Sequence, residues 1–94
     1  MDKLPKYQDL ITPMLRSLDL DGTEVSISEI EKKVISILGI PETLSREIHS
    51  GNRTELQYRL AWARTKAKAS GWISTSKREF WGLTESGKVQ ISME

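Results

Sequence analysis

Residues 54–83 read Thr54-Glu-Leu-Gln-Tyr-Arg-Leu-Ala-Trp-Ala-Arg-Thr-Lys-Ala-Lys-Ala-Ser-Gly71, then Trp72-Ile-Ser-Thr-Ser-Lys-Arg-Glu-Phe-Trp-Gly-Leu83. Thr54 with Gln57 three positions on is a capping-box signature, and Ser70-Gly71 is a helix stop, so one helix is predicted between them. Leu56, Leu60, Ala63 and Ala67 share a face of that helix, with Trp62 on its flank. At ~100° per residue the opposite arc carries Gln57, Ala61, Arg64, Thr65 and Lys68, with Tyr58 at its edge. Arginine and lysine can donate to guanine or phosphate, glutamine can pair with adenine, and a small Ala61 lets the backbone come close to a groove floor. Two aromatic and β-branched runs follow, Trp72–Thr75 and Phe80–Leu83, joined by the polar stretch Ser76-Lys77-Arg78-Glu79. A basic helix followed directly by a basic-tipped hairpin is the order of a winged helix-turn-helix. There the helix enters a major groove and the hairpin touches the flanking backbone.

Upstream, Tyr7, Leu10, Ile11, Met14, Leu15 and Leu18 recur at helical spacing, interrupted by Pro13, which predicts either a kink or a second short helix. Thr23–Val25 reads as a short strand. Ser26 and Glu29 form another capping-box pattern opening a helix with Ile30, Val34, Ile37 and Leu38 inward, closed by Gly39. Pro41 starts one more short helix carrying Leu44 and Ile48. Downstream, Thr84 caps a final helix in which Gly87 marks close backbone packing. The predicted fold is mainly α with a small β-hairpin (α+β), one winged-helix domain over residues 1–94 with its core at about 5–91.

The net charge of +1 hides a segregation. Residues 46–78 carry Arg46, Arg53, Arg59, Arg64, Lys66, Lys68, Lys77 and Arg78 against only Glu47 and Glu55, whereas the segments on either side are net acidic. A concentrated cationic stretch attracts phosphates by counterion release. The free amides at the start of the 54–71 helix add a phosphate site, making Asn52, Arg53 and Thr54 candidate backbone contacts beside His49. Lys77 and Arg78 are the candidate contacts of the wing.

Several functions are disfavoured. There is no cysteine and one histidine, His49, so disulfides and most metal sites are excluded and no cofactor is expected. No apolar run approaches membrane-spanning length and the N-terminus lacks a signal peptide, which predicts a cytoplasmic protein. Glu31-Lys32-Lys33 has the Glu-x-Lys spacing of some nucleases, with Asp19 and Asp21 upstream. It falls on the polar face of a helix, however, whereas metal-dependent cleavage needs convergent carboxylates on rigid elements. No catalytic residue is therefore assigned. Trp62, Trp72 and Trp81 are each expected to fill the core rather than stack on bases.

The segments Tyr7-Gln-Asp-Leu-Ile-Thr-Pro-Met-Leu-Arg16, Ser50-Gly51, Arg59-Leu-Ala-Trp-Ala63, Ser70-Gly71-Trp-Ile73 and Trp81-Gly-Leu-Thr-Glu-Ser-Gly87, in this order, resemble the N-terminal domain of Mrr-type restriction endonucleases. These type IV enzymes cut DNA carrying foreign modification. The resemblance implies a winged helix that binds double-stranded DNA, methylated or not, with cleavage left to a nuclease domain in cis that residues 1–94 do not contain. It also implies that Arg59, Trp62 and Ala63 are scaffold, leaving the arc from Gln57 to Lys68 to vary with the target. Two alternatives remain open: a stand-alone winged-helix transcriptional regulator, which would act as a homodimer on paired half-sites, and a winged-helix protein-interaction module.

Overall fold

A computed structural model describes residues 1–94. Its elements run α1 (Tyr7–Arg16), β1 (Val25–Ser26), α2 (Ile27–Leu38), α3 (Glu42–Ser45), β2 (Ile48–Ser50), β3 (Arg53–Thr54), α4 (Glu55–Ala69), β4 (Ile73–Lys77), β5 (Phe80–Leu83) and α5 (Glu85–Ser92). Helices dominate, accompanied by a small three-stranded antiparallel sheet and a two-stranded ladder, an α+β arrangement compatible with a winged helix.

The core is drawn from every helical stripe predicted to face inward. Leu10, Met14 and Leu15 of α1, Ile30 and Val34 of α2, and Leu56, Leu60, Ala63 and Ala67 of α4 are all buried. Each large aliphatic side chain removed from water stabilises by about 1.5–3 kcal/mol, which is why these stripes rather than local propensity fix the packing. Pro13 neither breaks nor splits α1, which is continuous from Tyr7 to Arg16. The rung it removes would have used the carbonyl of Asp9, an exposed residue whose carbonyl water can serve.

Sheet order is β1-β5-β4. The upstream strand is Val25–Ser26 rather than the predicted Thr23–Val25; Val25 pairs with Trp81 and Ser26 with Phe80, so the hairpin is completed by a third strand leading straight into α2. Lys77 pairs with Phe80, which shortens the predicted four-residue loop to Arg78-Glu79. Glu79 has φ 68, a left-handed conformation that closes the turn after the register shift between Ser74 and Lys77 and that glutamate adopts at a cost. Three hydrogen bonds hold the hairpin in place. The amide of Ile27 donates to the carbonyl of Glu79 (2.9 Å), and Glu24 accepts from the amide and hydroxyl of Ser76 (2.7 and 2.9 Å).

Three sequence expectations are corrected. Ile37 does not face inward; it is 48% exposed, because α2 turns only the Ile30–Val34 line fully to the core. Ile48 belongs to no helix. α3 ends at Ser45, and Ile48 pairs with Thr54 in the two-stranded β2–β3 ladder, whose turn is Gly51-Asn52. The capping box at Ser26 forms by half: Ser26 Oγ accepts from the amide of Glu29 (3.2 Å), while the Glu29 side chain turns to Lys32. Thr84 caps α5 as predicted, and Gly87 is packed so closely that a Cβ there would collide with the carbonyl oxygen of Trp72.

Candidate nucleic-acid interface

The start of α4 is fixed by a complete capping box. Thr54 Oγ1 accepts from the amide of Gln57 (3.1 Å) and Gln57 Oε1 accepts from the amide of Thr54 (3.0 Å). The same glutamine's Nε2 donates to Glu31 Oε1 on α2 (3.2 Å). Both ends of the Gln57 amide are thus engaged inside the protein, whereas a base-reading glutamine needs a free donor and acceptor. Thr54 is likewise committed to the cap through both its amide and its hydroxyl.

Arg64 does not project from the outer face of α4. It is half-buried in a recess of about 310 Å³ between α2 and α4, shared with Ile27, Ser28, Glu31, Arg53 and Gln57. Desolvation, and next the like charge of Arg53, hold its guanidinium below the usual arginine range, with Glu31 opposing. Neither arginine has a carboxylate within ion-pair distance. Two unneutralised guanidiniums therefore converge beside the first turn of α2, whose amides and dipole are also positive. Because Ile27 is bonded to Glu79, the hairpin tip with exposed Lys77 and Arg78 adjoins the same end of α2. Lys77 Nζ stands 4.3 Å from the centroid of the Phe80 ring, a cation–π contact that keeps its charge at the tip.

The outer face of α4 presents Tyr58, Ala61 and Thr65, with Lys68 beside them. Ala61 and Tyr58 are partly covered, Thr65 and Lys68 exposed. Thr65 Oγ1 donates to the Ala61 carbonyl in its own helix (3.0 Å), leaving oxygen lone pairs outward, and Lys68 Nζ lies 5.8 Å from the Trp81 ring. Asn52 is exposed in the β2–β3 turn, and Arg53 leans over the Tyr58 ring, 5.7 Å from its centroid. The candidate residues thus divide into three groups: the α2–α4 recess, the outer face of α4, and the hairpin tip.

Ion pairing separates the cations into two sets. Lys32, Lys33, Arg46, Arg59 and Lys88 are paired with carboxylates. Arg53, Arg64, Lys66, Lys68, Lys77 and Arg78 are not, nor are Lys3, Lys6 and Arg16 toward the N-terminus. Arg59 is scaffold, as the family resemblance implies: it donates to Glu55 (2.7 Å) and to the carbonyls of Leu4 and Pro5 (3.0 and 2.9 Å), tying α4 to the chain ahead of α1. That bond to Arg59, then one from His49, holds the Glu55 carboxyl below its ordinary range.

The sequence profile of the Mrr N-terminal domain matches residues 7–92, nearly the whole chain. The chain belongs to the Mrr N-terminal domain family. Membership associates it with restriction endonucleases as one of their modules. No curated protein and no solved structure matches the chain. Within this Mrr N-terminal domain the scaffold reading holds for Arg59 and for buried Ala63, but Trp62 departs from it, being 49% exposed. No helix is long and apolar enough to cross a membrane.

Proposed function

We propose that this Mrr N-terminal domain binds double-stranded DNA as a winged helix and serves as the recognition module of an Mrr-like restriction endonuclease. The observation that carries the proposal is the set of unpaired cations. In a chain of net charge +1, the cations left without carboxylate partners include all those from Arg64 to Arg78, together with Arg53. Arg53 and Arg64 share one recess, and cations clustered in this way raise the local concentration of a polyanion such as DNA.

The roles differ from those the helical wheel suggests. Arg53 and Arg64, with the start of α2, grip one stretch of phosphates, and Lys77 and Arg78 grip another, fixing register. Tyr58, Ala61, Thr65 and Lys68 then face base edges in the major groove. Gln57 is a structural brace. The domain performs no cleavage; in a longer cytoplasmic enzyme it would bring a tethered nuclease domain to its sites, methylated or unmethylated.

Fluorescence anisotropy with a labelled random duplex at two salt concentrations tests the proposal. Binding at low salt that weakens steeply as salt rises is expected, and Arg53→Ala/Arg64→Ala should reduce the logarithmic salt slope by about 1.8. Absence of binding at low salt would sink it and favour a protein-interaction module. A methylated and an unmethylated duplex of one sequence, compared in the same assay, test dependence on modification. Sedimentation on paired half-sites tests for a homodimer.

A further inference from the structure

The outer face of α4 carries a surface feature that duplex reading leaves unexplained. Trp72 and Trp81 pack against the core, but Trp62 does not and is 49% exposed. It is nevertheless held rigidly. Tyr58 meets it edge to face (6.5 Å, 84°), and Tyr7 of α1 flanks it at 6.4 Å. Tyr58 is in turn stacked on His49, 3.8 Å away and 11° from parallel, and the His49 ring is anchored through Nδ1 to Glu55 (2.9 Å). The result is a braced line of four rings running from β2 across α4 to α1.

Recesses lie on both sides of the Tyr58–Trp62 ridge. One is lined by Arg53, Ala61 and Thr65 (about 210 Å³), the other by Lys6, Tyr7 and Gln8 at its α1 end (about 260 Å³). The first contains no carboxylate. The only carboxylate in the second, Glu55, is already bound by Arg59 and His49. Arg53 and Lys6 are unpaired. Apolar rings set between unpaired cations complement a base attached to a phosphate, since bases stack on aromatic faces and phosphates seek the cations.

We propose that the Tyr58–Trp62 ridge is a stacking platform for a nucleobase that has left the helical stack, with Arg53 on the adjoining phosphate. The domain therefore binds locally unpaired DNA in preference to perfect duplex. The bracing rings matter because Trp62 is already fixed in place and loses little freedom on stacking.

The test compares a perfect duplex, the same duplex with a single-nucleotide bulge, and a single strand, by anisotropy with the full chain. Stacking of one base predicts bulged DNA bound about 5- to 150-fold tighter than perfect duplex. Trp62→Ala should reduce that preference to within about twofold and Trp62→Phe should retain part of it. In a Trp72→Phe/Trp81→Phe background, where Trp62 is the only tryptophan, bulged DNA should quench its fluorescence and perfect duplex should not. If that background fails to fold, the anisotropy comparison on the unmodified chain decides alone. Equal affinity for bulged and perfect duplex would overturn the proposal, as would an undiminished preference in Trp62→Ala. So would a dimer that Trp62→Ala dissolves without any effect on DNA. Perfect-duplex binding, read through Arg64→Ala and Lys77→Ala/Arg78→Ala, draws on residues the ridge does not use, so the two proposals fail independently.

Discussion

Truncating the hairpin tip, Lys77→Ala/Arg78→Ala, removes two adjacent exposed cations that make no ion pair. The tip is pinned by Ile27 to Glu79 and by Ser76 to Glu24, so removing two side chains should not move it. The stability cost should be small: the Lys77–Phe80 cation–π contact is worth about 0.5–1 kcal/mol, or several degrees in melting temperature for a domain of this size. The effect on binding should be much larger. Each phosphate neutralised on B-DNA contributes about 0.9 to the logarithmic salt slope, so losing two should flatten it by about 1.8. Across the fourfold change from about 50 to 200 mM salt, the advantage of the unmodified domain over the variant should shrink about 12-fold. The loss should be similar for every sequence, since phosphate contacts carry no sequence information. Anisotropy titrations at four or five salt concentrations give both slopes. A slope unchanged within about 0.5 would mean that the tip touches no phosphate and that the hairpin is a wing in form only.

Other substitutions separate scaffold from interface. Gly87→Ala should destabilise the fold by about 3 kcal/mol or more, since the new Cβ meets the Trp72 backbone rather than a flexible side chain; thermal melting reads this, and a change under 1 kcal/mol would contradict the packing. Gln57→Ala should lower stability by about 1 kcal/mol through loss of the reciprocal cap and the Glu31 bond, yet leave sequence preference in a binding selection unchanged. A shift in preference would return Gln57 to base reading. Acid should unfold the domain partly through Glu55. Its folded pKa is depressed, so its contribution is complete above the unfolded value of about 4.3 and is lost as pH falls through the lower folded value. Glu55→Gln should remove that part of the pH dependence in melts between about pH 6 and 3, and an unaltered profile would refute the assignment.

The parts of this fold written in local signals were legible in advance. Thr54 with Gln57, the Ser70-Gly71 stop, the apolar line from Leu56 to Ala67 and the cap at Thr84 each depend on neighbours within a turn or two, and each sits where the sequence places it. What was not legible depends on distant partners. Gln57 looks like a free groove reader until Glu31, 26 residues away, takes its donor. Arg64 lies on the polar arc of a helical wheel, but α2 packs beside that flank and encloses it. Trp62 looks like core because it is large and apolar, but it stands about 100° round α4 from Ala63, off the buried line, and its indole stays on the rim. Ile48 lies in a ladder too short to show strand periodicity.

The central claim, that one continuous surface from the α2–α4 recess to the hairpin tip holds DNA, is most directly tested by mapping amide chemical shifts while duplex DNA is added at low salt. The predicted result is a contiguous set of perturbed amides at Ile27 and Ser28, Arg53, the outer turns of α4 through Lys68, and residues 77–79. The exposed side of α5 around Val89 and Met93 should stay unchanged. Perturbations centred on α5 or on the Leu20 and Ile37 surface, with the hairpin tip silent, would contradict it.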